Sequence, residues 1–188
     1  MKNTITTEQI IAGCRKRQPA FQRALVDNYS EMLFSVCLRY TGNETLAKDV
    51  LQESFIRIFK YFKSFDSNKG ALNTWMRRIT INVALRHLNK KSIDTSTLTL
   101  EISDRHYTDP DVMSKIGHDE LMKHIMGLPE GYRQVFNLSV IEGYSHKEIA
   151  QKIGIKEVSS RSNLSRAKQL LRKKLQSLKT SDQWINSI

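Results

Sequence analysis

At 188 residues the chain is long enough for one medium domain or two small ones. It carries 30 Lys and Arg against 19 Asp and Glu, and this net charge of +11 favours a polyanionic partner such as nucleic acid or an anionic membrane. The N-terminus lacks a signal-peptide core and no window approaches a membrane span, so we expect a soluble, cytoplasmic protein without direct membrane insertion. Few Gly, Pro and strand-like alternations predict an all-α fold.

The first two predicted helices are expected to contribute to the core and are assigned no function. One covers residues 7 to 19 and is stopped by Pro19, and the next runs from Ala20 to Gly42 with apolar residues at helical spacing. Cys14 and Cys37 are predicted to be free thiols, because a structural disulfide is not expected in a reducing compartment. A redox-sensing pair is the alternative.

The third predicted helix, residues 44 to 62, has a wide apolar stripe and a separate polar cluster. Asp49, Gln52 and Glu53 share one face, because residues three and four apart are neighbours on a helix. An acidic and amide cluster on a basic protein would repel DNA. It is either an ordinary solvated face or a docking patch for a basic protein, and the residues alone leave both open.

A polar loop and a fourth helix, residues 74 to 91, follow. From Lys60 to Lys91 there are eight Lys or Arg and a single Asp. One edge of the helix carries a continuous polar stripe, made of Thr74, Arg78, Asn82, Arg86 and Asn89. This density of charge favours nucleic-acid binding over a surface helix with scattered charge.

Residues 92 to 114 lose the helical period and are rich in Ser and Thr, which predicts a flexible linker. From Ser92 to Glu120 there are seven acidic residues and two basic ones, so the linker region is acidic. Fully extended, it would reach ~75–80 Å. The predicted organisation is therefore two small helical domains, residues 1–91 and 115–180, joined by this linker.

The clearest motif lies near the C-terminal end. Ser145, followed three residues later by Glu148, forms a capping box that predicts the start of a helix. Gly154 closes this helix and a second begins near Glu157, which predicts a helix-turn-helix. The second helix is expected to present hydrogen-bonding and cationic side chains outward, namely Lys156, Ser159, Ser160, Arg161, Asn163 and Lys168. With nine Lys or Arg against two Glu from residue 143 to 175, a DNA reader is favoured over a helical hairpin with a solvated basic face.

Three stretches together resemble a bacterial RNA polymerase sigma factor of the extracytoplasmic-function (ECF) family. Residues 20–66, with the core A-x-D-V-x-Q-E-x-F-x-R, and the Trp-containing residues 70–91 resemble sigma region 2. Residues 128–175, with L-P and E-G-x-S segments, resemble sigma region 4. A helix-turn-helix alone is only moderately specific, whereas these motifs in this order across an acidic linker are highly specific together.

The resemblance assigns roles to the ambiguous faces. It implies that Asp49, Gln52, Glu53 and Arg57 bind core RNA polymerase. It also implies that the loop from Asp66 to Leu72 captures a flipped base of the −10 element and that the following helix contacts the same strand. The implied −10 residues are Ser67, Asn68, Lys69, Thr74, Arg78, Asn82, Arg86 and Lys90. Trp75 also falls on the apolar stripe, and a core position is favoured for it.

For the −35 element the resemblance implies a set on and before the second helix of the motif. This set is Ser145, Lys156, Ser159, Ser160, Arg161, Asn163, Arg166 and Lys168. The sequence departs from the family here, because Lys156 stands where a helix-capping hydroxyl is usual and Asn163 where Arg is frequent. A missing cap typically costs ~1 kcal/mol. We therefore expect a DNA preference of its own.

The predicted function is that of an alternative sigma factor, which directs promoter-specific initiation, with an anti-sigma protein as an expected further partner. A stand-alone helix-turn-helix regulator is the first alternative, and it leaves the polar face of residues 44–62 without a role. A nuclease is the second, and it needs clustered carboxylates for metal ions. The basic segments hold too few acidic residues for that. We therefore expect no catalytic activity, cofactor, metal or small-molecule substrate.

Overall fold

The computed structural model describes residues 5–89 and 115–185, with side chains for 5–89 and 120–175. Within these ranges the regular structure is helical, in two compact units, one in each half of the chain. The prediction of an all-α fold with two small helical domains is confirmed. The predicted linker, residues 92–114, and Lys90 lie outside the described residues.

Within residues 5–89, unit 1 contains four α-helices and two short 3₁₀ turns. The helices are α1 (Thr7–Arg15), α2 (Pro19–Thr41), α3 (Glu44–Tyr61) and α4 (Leu72–Leu88), and the turns are Phe62–Ser64 and Ser67–Lys69. Helices α2, α3 and α4 pack against one another, and α1 packs on α2. The side chains between them are apolar and buried, among them Leu25, Leu33, Val36, Tyr40, Val50, Ile58, Phe62, Met76 and Val83. These residues supply most of the stabilisation through apolar burial.

The prediction that the first helix reaches residue 19 is wrong. Helix α1 ends at Arg15, and Pro19 is instead the first residue of α2. Proline is favoured at this position, because its fixed φ suits the helix and its missing N–H would have had no helical partner. The start of α1 has a capping box, in which Thr6 and Gln9 exchange side chain-to-backbone hydrogen bonds.

The described part of unit 2, residues 115–185, contains four α-helices. They are α5 (Lys115–Met126), α6 (Glu130–Phe136), α7 (His146–Ile153) and α8 (Glu157–Ile185). Helix α6 continues into a π-helical turn, Asn137–Ile141. The core between α5, α6 and α8 consists of Ile125, Leu128, Phe136, Ala167 and Leu171.

Arg133 is a buried cation beneath this core. Its Nη1 donates hydrogen bonds to the carbonyl oxygens of Met126 (2.8 Å) and Leu128 (2.9 Å). Burial lowers the pKa of Arg133, and Glu130 acts in the opposite direction. The guanidinium thus satisfies carbonyl groups at the end of α5 that have no helical partner. It joins the end of α5 to α6, and α8 packs against both helices.

Candidate functional site

The polar face of α3 has two exposed polar residues and, one turn further towards the C-terminus, an exposed apolar residue. Asp49 and Gln52 are exposed, and Ile56 is 60% exposed. The three residues lie at spacings of three and four, so they form one continuous surface, here called the α3 face. The sequence analysis did not identify Ile56 as exposed, because in the sequence it cannot be distinguished from the neighbouring buried apolar residues. An exposed isoleucine between polar groups has the composition of a protein-binding surface.

Glu53 belongs to the same cluster in sequence, but the fold uses its carboxylate internally. Its Oε1 accepts from Arg57 Nε at 2.8 Å, and its Oε2 lies 2.6 Å from His87 Nε2 on α4. Arg86 Nη1 is 3.9 Å from the same carboxylate, whose side chain is 28% exposed. Glu53 therefore bridges α3 to α4 through His87 and Arg86, and it pairs with Arg57 within α3.

The pKa of Glu53 reflects this environment. Burial acts to raise the pKa of Glu53, whereas the hydrogen bonds from His87 and Arg57 and their charge lower it. The second group of effects wins, and the pKa lies below its ordinary value of 4.5. The carboxylate is therefore ionised at neutral pH and holds its partners in place.

The loop before α4 presents three of the predicted DNA-contacting residues. Ser67, Asn68 and Lys69 are all exposed. They occupy a 3₁₀ turn capped by Asp66, whose Oδ1 accepts from the Asn68 N–H at 3.0 Å. Gly70 follows with φ 144°, a conformation that L-residues rarely adopt. The turn is thus a defined platform with its polar side chains outward.

Aromatic rings pack between this loop and α4. The ring of Trp75 lies 5.3 Å from that of Phe65 and 5.8 Å from that of Phe62 in an edge-on arrangement. Arg15 Nη2 donates to the Phe65 carbonyl oxygen at 3.0 Å. Trp75 is half-buried. Its aromatic contacts agree with the favoured core position, since the ring holds the loop against α4.

The polar stripe of α4 is only partly accessible. Thr74, Arg78 and Asn82 are half-buried, and Arg86 is exposed beside Glu53. Arg78 and Asn82 both have interaction partners within the protein. The stripe therefore lies along the rim of unit 1 and offers edges of these side chains to solvent.

The helix-turn-helix has the predicted local geometry. Ser145 and Glu148 form the capping box, and Gly154 ends α7 in the left-handed region at φ 69°. Helix α8 begins at Glu157, as predicted. The whole motif is encoded locally, because a cap, a left-handed glycine and a restart lie within thirteen residues.

Ser160 does not point outward, and this part of the prediction is wrong. Its side chain is fully buried, and its Oγ lies 2.9 Å from His146 Nδ1 at the start of α7. The pair ties the two helices of the motif together. Of the other predicted residues on α8, Arg161, Arg166 and Lys168 are exposed, and Ser159 and Asn163 are half-buried. Ser145 and Lys156 are exposed before their helices.

The face of α8 opposite the core contains exposed residues that lie outside the predicted contact set. Val158, Ser162, Ser165 and Gln169 are all exposed. They lie at spacings of four, three and four, and so share one stripe. Because Ser160 is buried, the residues on the opposite side of the helix, found by helical spacing, form this exposed stripe.

No helix in the described part of the chain is long and apolar enough to cross a membrane. Among the described residues, no three His, Cys, Asp or Glu side chains are grouped so that they could hold a metal ion.

Comparison with known proteins identifies the architecture. The family model for Sigma-70 region 2 matches residues 25–93, and that for Sigma-70, region 4 matches residues 118–171. The ECF RNA polymerase sigma factor SigW of Bacillus subtilis (strain 168) is 30% identical over 166 residues, covering 82% of this chain and 88% of that protein. The chain belongs to the ECF sigma factor family.

Other comparisons place this sigma factor among similar proteins. The ECF RNA polymerase sigma factor SigE of Mycolicibacterium smegmatis is 30% identical over 153 residues, covering 79% of this chain and 59% of that protein. The sigma factor RpoE from Bartonella quintana, solved in complex with the anti-sigma factor NepR, has 18% identity and a TM-score of 0.44. That alignment covers 82% of this chain and 96% of the other.

Family membership confirms the predicted function. Sigma factors are transcription initiation factors that bind core RNA polymerase and direct it to promoter DNA, and this chain is a promoter-directing alternative sigma factor. The stand-alone regulator is not favoured, because a region 2 domain accompanies the helix-turn-helix. The polymerase supplies the chemistry, so the homologues are not enzymes.

Proposed function

We propose that the α3 face is where this sigma factor binds core RNA polymerase. The observation that carries the proposal is the exposure of Asp49, Gln52 and Ile56 on one continuous surface of an otherwise basic protein. An acidic and amide rim suits a basic protein surface, and the apolar side chain in the same patch supplies area that gains energy on burial. Glu53 and Arg57 support this surface from its edge, since their carboxylate and guanidinium bond to each other and towards α4.

Charge reversal of the α3 face tests the proposal. Asp49→Lys should weaken binding to core polymerase by about tenfold or more, as expected for a charged contact in an interface. Glu44→Lys is a matched control, because Glu44 is an exposed acid on the same helix but on a different side. Binding is measured by titrating labelled full-length protein with core polymerase. Equal affinity of Asp49→Lys and the wild type would contradict the proposed docking surface.

We further propose that the loop before α4 and the rim of α4 recognise the −10 element. The exposed 3₁₀ turn holds hydroxyl, amide and ammonium groups on a rigid aromatic base, which suits a base flipped out of the stack. The positive rim of α4 then contacts the backbone of the separated strand. The proposed residues are Ser67, Asn68, Lys69, Thr74, Arg78, Asn82, Arg86 and, outside the described residues, Lys90.

The helix-turn-helix is proposed to place the start of α8 in the major groove at the −35 element. Arg161, Arg166 and Lys168 are exposed cations that suit phosphate oxygens and base edges. Ser145, at the exposed start of α7, suits a phosphate contact. Ser159 and Asn163 lie at the border of the exposed surface, and Ser160 acts as a positioning residue through His146.

The remaining proposals concern organisation and cellular context. Residues 1–91 and 115–180 are proposed as the two modules, with residues 92–114 as a linker that lets two modest DNA contacts act together through effective concentration. The sigma factor is proposed to act in the cytoplasm, where the chromosome lies, without catalytic activity of its own. An anti-sigma protein is proposed as a further partner because the family is commonly regulated in this way.

A further inference from the structure

Val158 is the most exposed of the large apolar side chains in the described part of the chain, at 72%. It lies in the first turn of α8, two residues after Lys156 and three before Arg161. Leaving a valine in water at a position where a polar residue would fit gains nothing for folding. We propose that Val158 is a specificity-determining residue that packs against the C5 methyl group of a thymine in the −35 element, an inference that rests on the proposed function of α8.

The position of Val158 on the helix supports this contact. Ser160, Ala167 and Leu171 are buried and define the inner side of α8. Val158 lies on the opposite side, at the head of the stripe that continues through Ser162, Ser165 and Gln169. These side chains are uncharged, and most of them are short. A surface of this kind allows the helix backbone to approach the floor of the groove.

Charged side chains border the neutral stripe on both sides. On one side lie Arg161, Lys168 and Arg172, and on the other lie Arg166 and Lys173, all of them exposed. Long cations flanking a neutral stripe match the two phosphate backbones on either side of a major groove. This charge pattern identifies DNA, rather than another protein, as the surface that covers Val158.

The chemistry of valine then selects the base. A valine side chain neither donates nor accepts a hydrogen bond, so it gains no energy from the polar edges of guanine, cytosine or adenine. Thymine alone presents a methyl group in the major groove. Arg161, whose guanidinium bonds to Glu157 one turn before, is held beside Val158 and limits how the helix can shift along the groove. Val158 therefore contributes a preference for thymine at one position.

Removal of single methyl groups tests the contact. A preferred promoter is first selected from a randomised library with the full-length sigma factor and its core polymerase. Each thymine of the upstream element is then replaced in turn by deoxyuridine, which lacks only the C5 methyl group. Equilibrium binding of the holoenzyme should fall by about fourfold at one position, the effect of burying one methyl group. Val158→Ala should bind the original promoter about fourfold more weakly and show no further loss with deoxyuridine there.

The controls separate the possible outcomes. Alanine is the better helix former, so Val158→Ala keeps α8 folded. Val140→Ala removes the same atoms from a valine that is 49% exposed outside α8, and it should keep the sensitivity to deoxyuridine. Equal losses in the wild type and Val158→Ala, or no loss at any position, would overturn the thymine contact and leave the proposed function intact. Failure to select any two-part promoter would overturn both.

Discussion

At the scale of single residues, Glu53 shows how one side chain can belong to a surface motif and to the core. The i, i+3, i+4 rule correctly places it beside Asp49 and Gln52. The rule applies only within one helix and does not include α4. That helix brings His87 and Arg86 to the same carboxylate from more than thirty residues away. Long-range partners of this kind cannot be predicted from helical periodicity alone.

Replacement of Glu53 should therefore cost stability, whereas replacement of Asp49 should not. Glu53→Gln removes a charge-assisted bridge and should lower the free energy of unfolding by about 1–2 kcal/mol. Asp49→Asn, at an exposed neighbouring position, should change it by less than about 0.5 kcal/mol. Hydrogen exchange of the α3 and α4 amides measures both effects. Equal protection in the two variants would show that the bridge contributes nothing.

The contribution of Glu53 also has a defined pH dependence. Because the pKa of this carboxyl is lowered in the folded protein, its stabilising effect is complete above the ordinary value of 4.5 and is lost as the pH falls through the folded pKa. The difference between wild type and Glu53→Gln should accordingly be constant near neutral pH and shrink below pH 4.5.

The two buried cysteines permit a prediction about reactivity. Burial raises the pKa of Cys14 to about 11 and that of Cys37 to about 12, against an ordinary value of 9.0. The reactive thiolate is therefore at least about a hundredfold rarer than in an exposed cysteine. Iodoacetamide should label both thiols only when unit 1 opens. Rapid labelling of the native protein, at the rate of a free thiol, would contradict this and would revive the redox-sensing alternative.

At the scale of helices, the sequence was most informative where the signals are local. The capping box at Ser145 and the left-handed Gly154 were both predicted, because each is specified by a few neighbouring residues. Pro19 was misjudged because proline can either follow a helix or begin one. The inward position of Ser160 depends on His146, fourteen residues earlier, and only the packed motif reveals it.

Arg133 is the side chain on which the arrangement of α5 and α6 depends. Arg133→Ala should lower the free energy of unfolding of unit 2 by about 2–4 kcal/mol, because it leaves the carbonyl oxygens of Met126 and Leu128 without their charged donor. Arg172→Ala removes an exposed arginine from α8 and should cost less than about 0.5 kcal/mol. Hydrogen exchange of the α6 and α8 amides distinguishes them, and a similar small effect of both would refute the structural role of Arg133.

At the scale of the whole molecule, the order of the motifs carried more information than any one of them. The helix-turn-helix alone indicated a DNA-binding protein, and its combination with an acidic α3 face and a second basic helix indicated a sigma factor. The finer site could not be predicted in the same way. Exposure of Ile56 and Val158 depends on which side of each helix the core covers. A single apolar residue within an amphipathic helix does not show whether it faces the core or the solvent.

The central claim is that the two modules together direct core polymerase to two separate promoter elements. Run-off transcription with the full-length sigma factor and core polymerase on a randomised promoter library tests it most directly. We predict enrichment of two short elements at a fixed separation, with Lys and Arg substitutions on α8 affecting the upstream element and substitutions at residues 67–69 affecting the downstream one. Enrichment of a single element, or of none, would contradict the account.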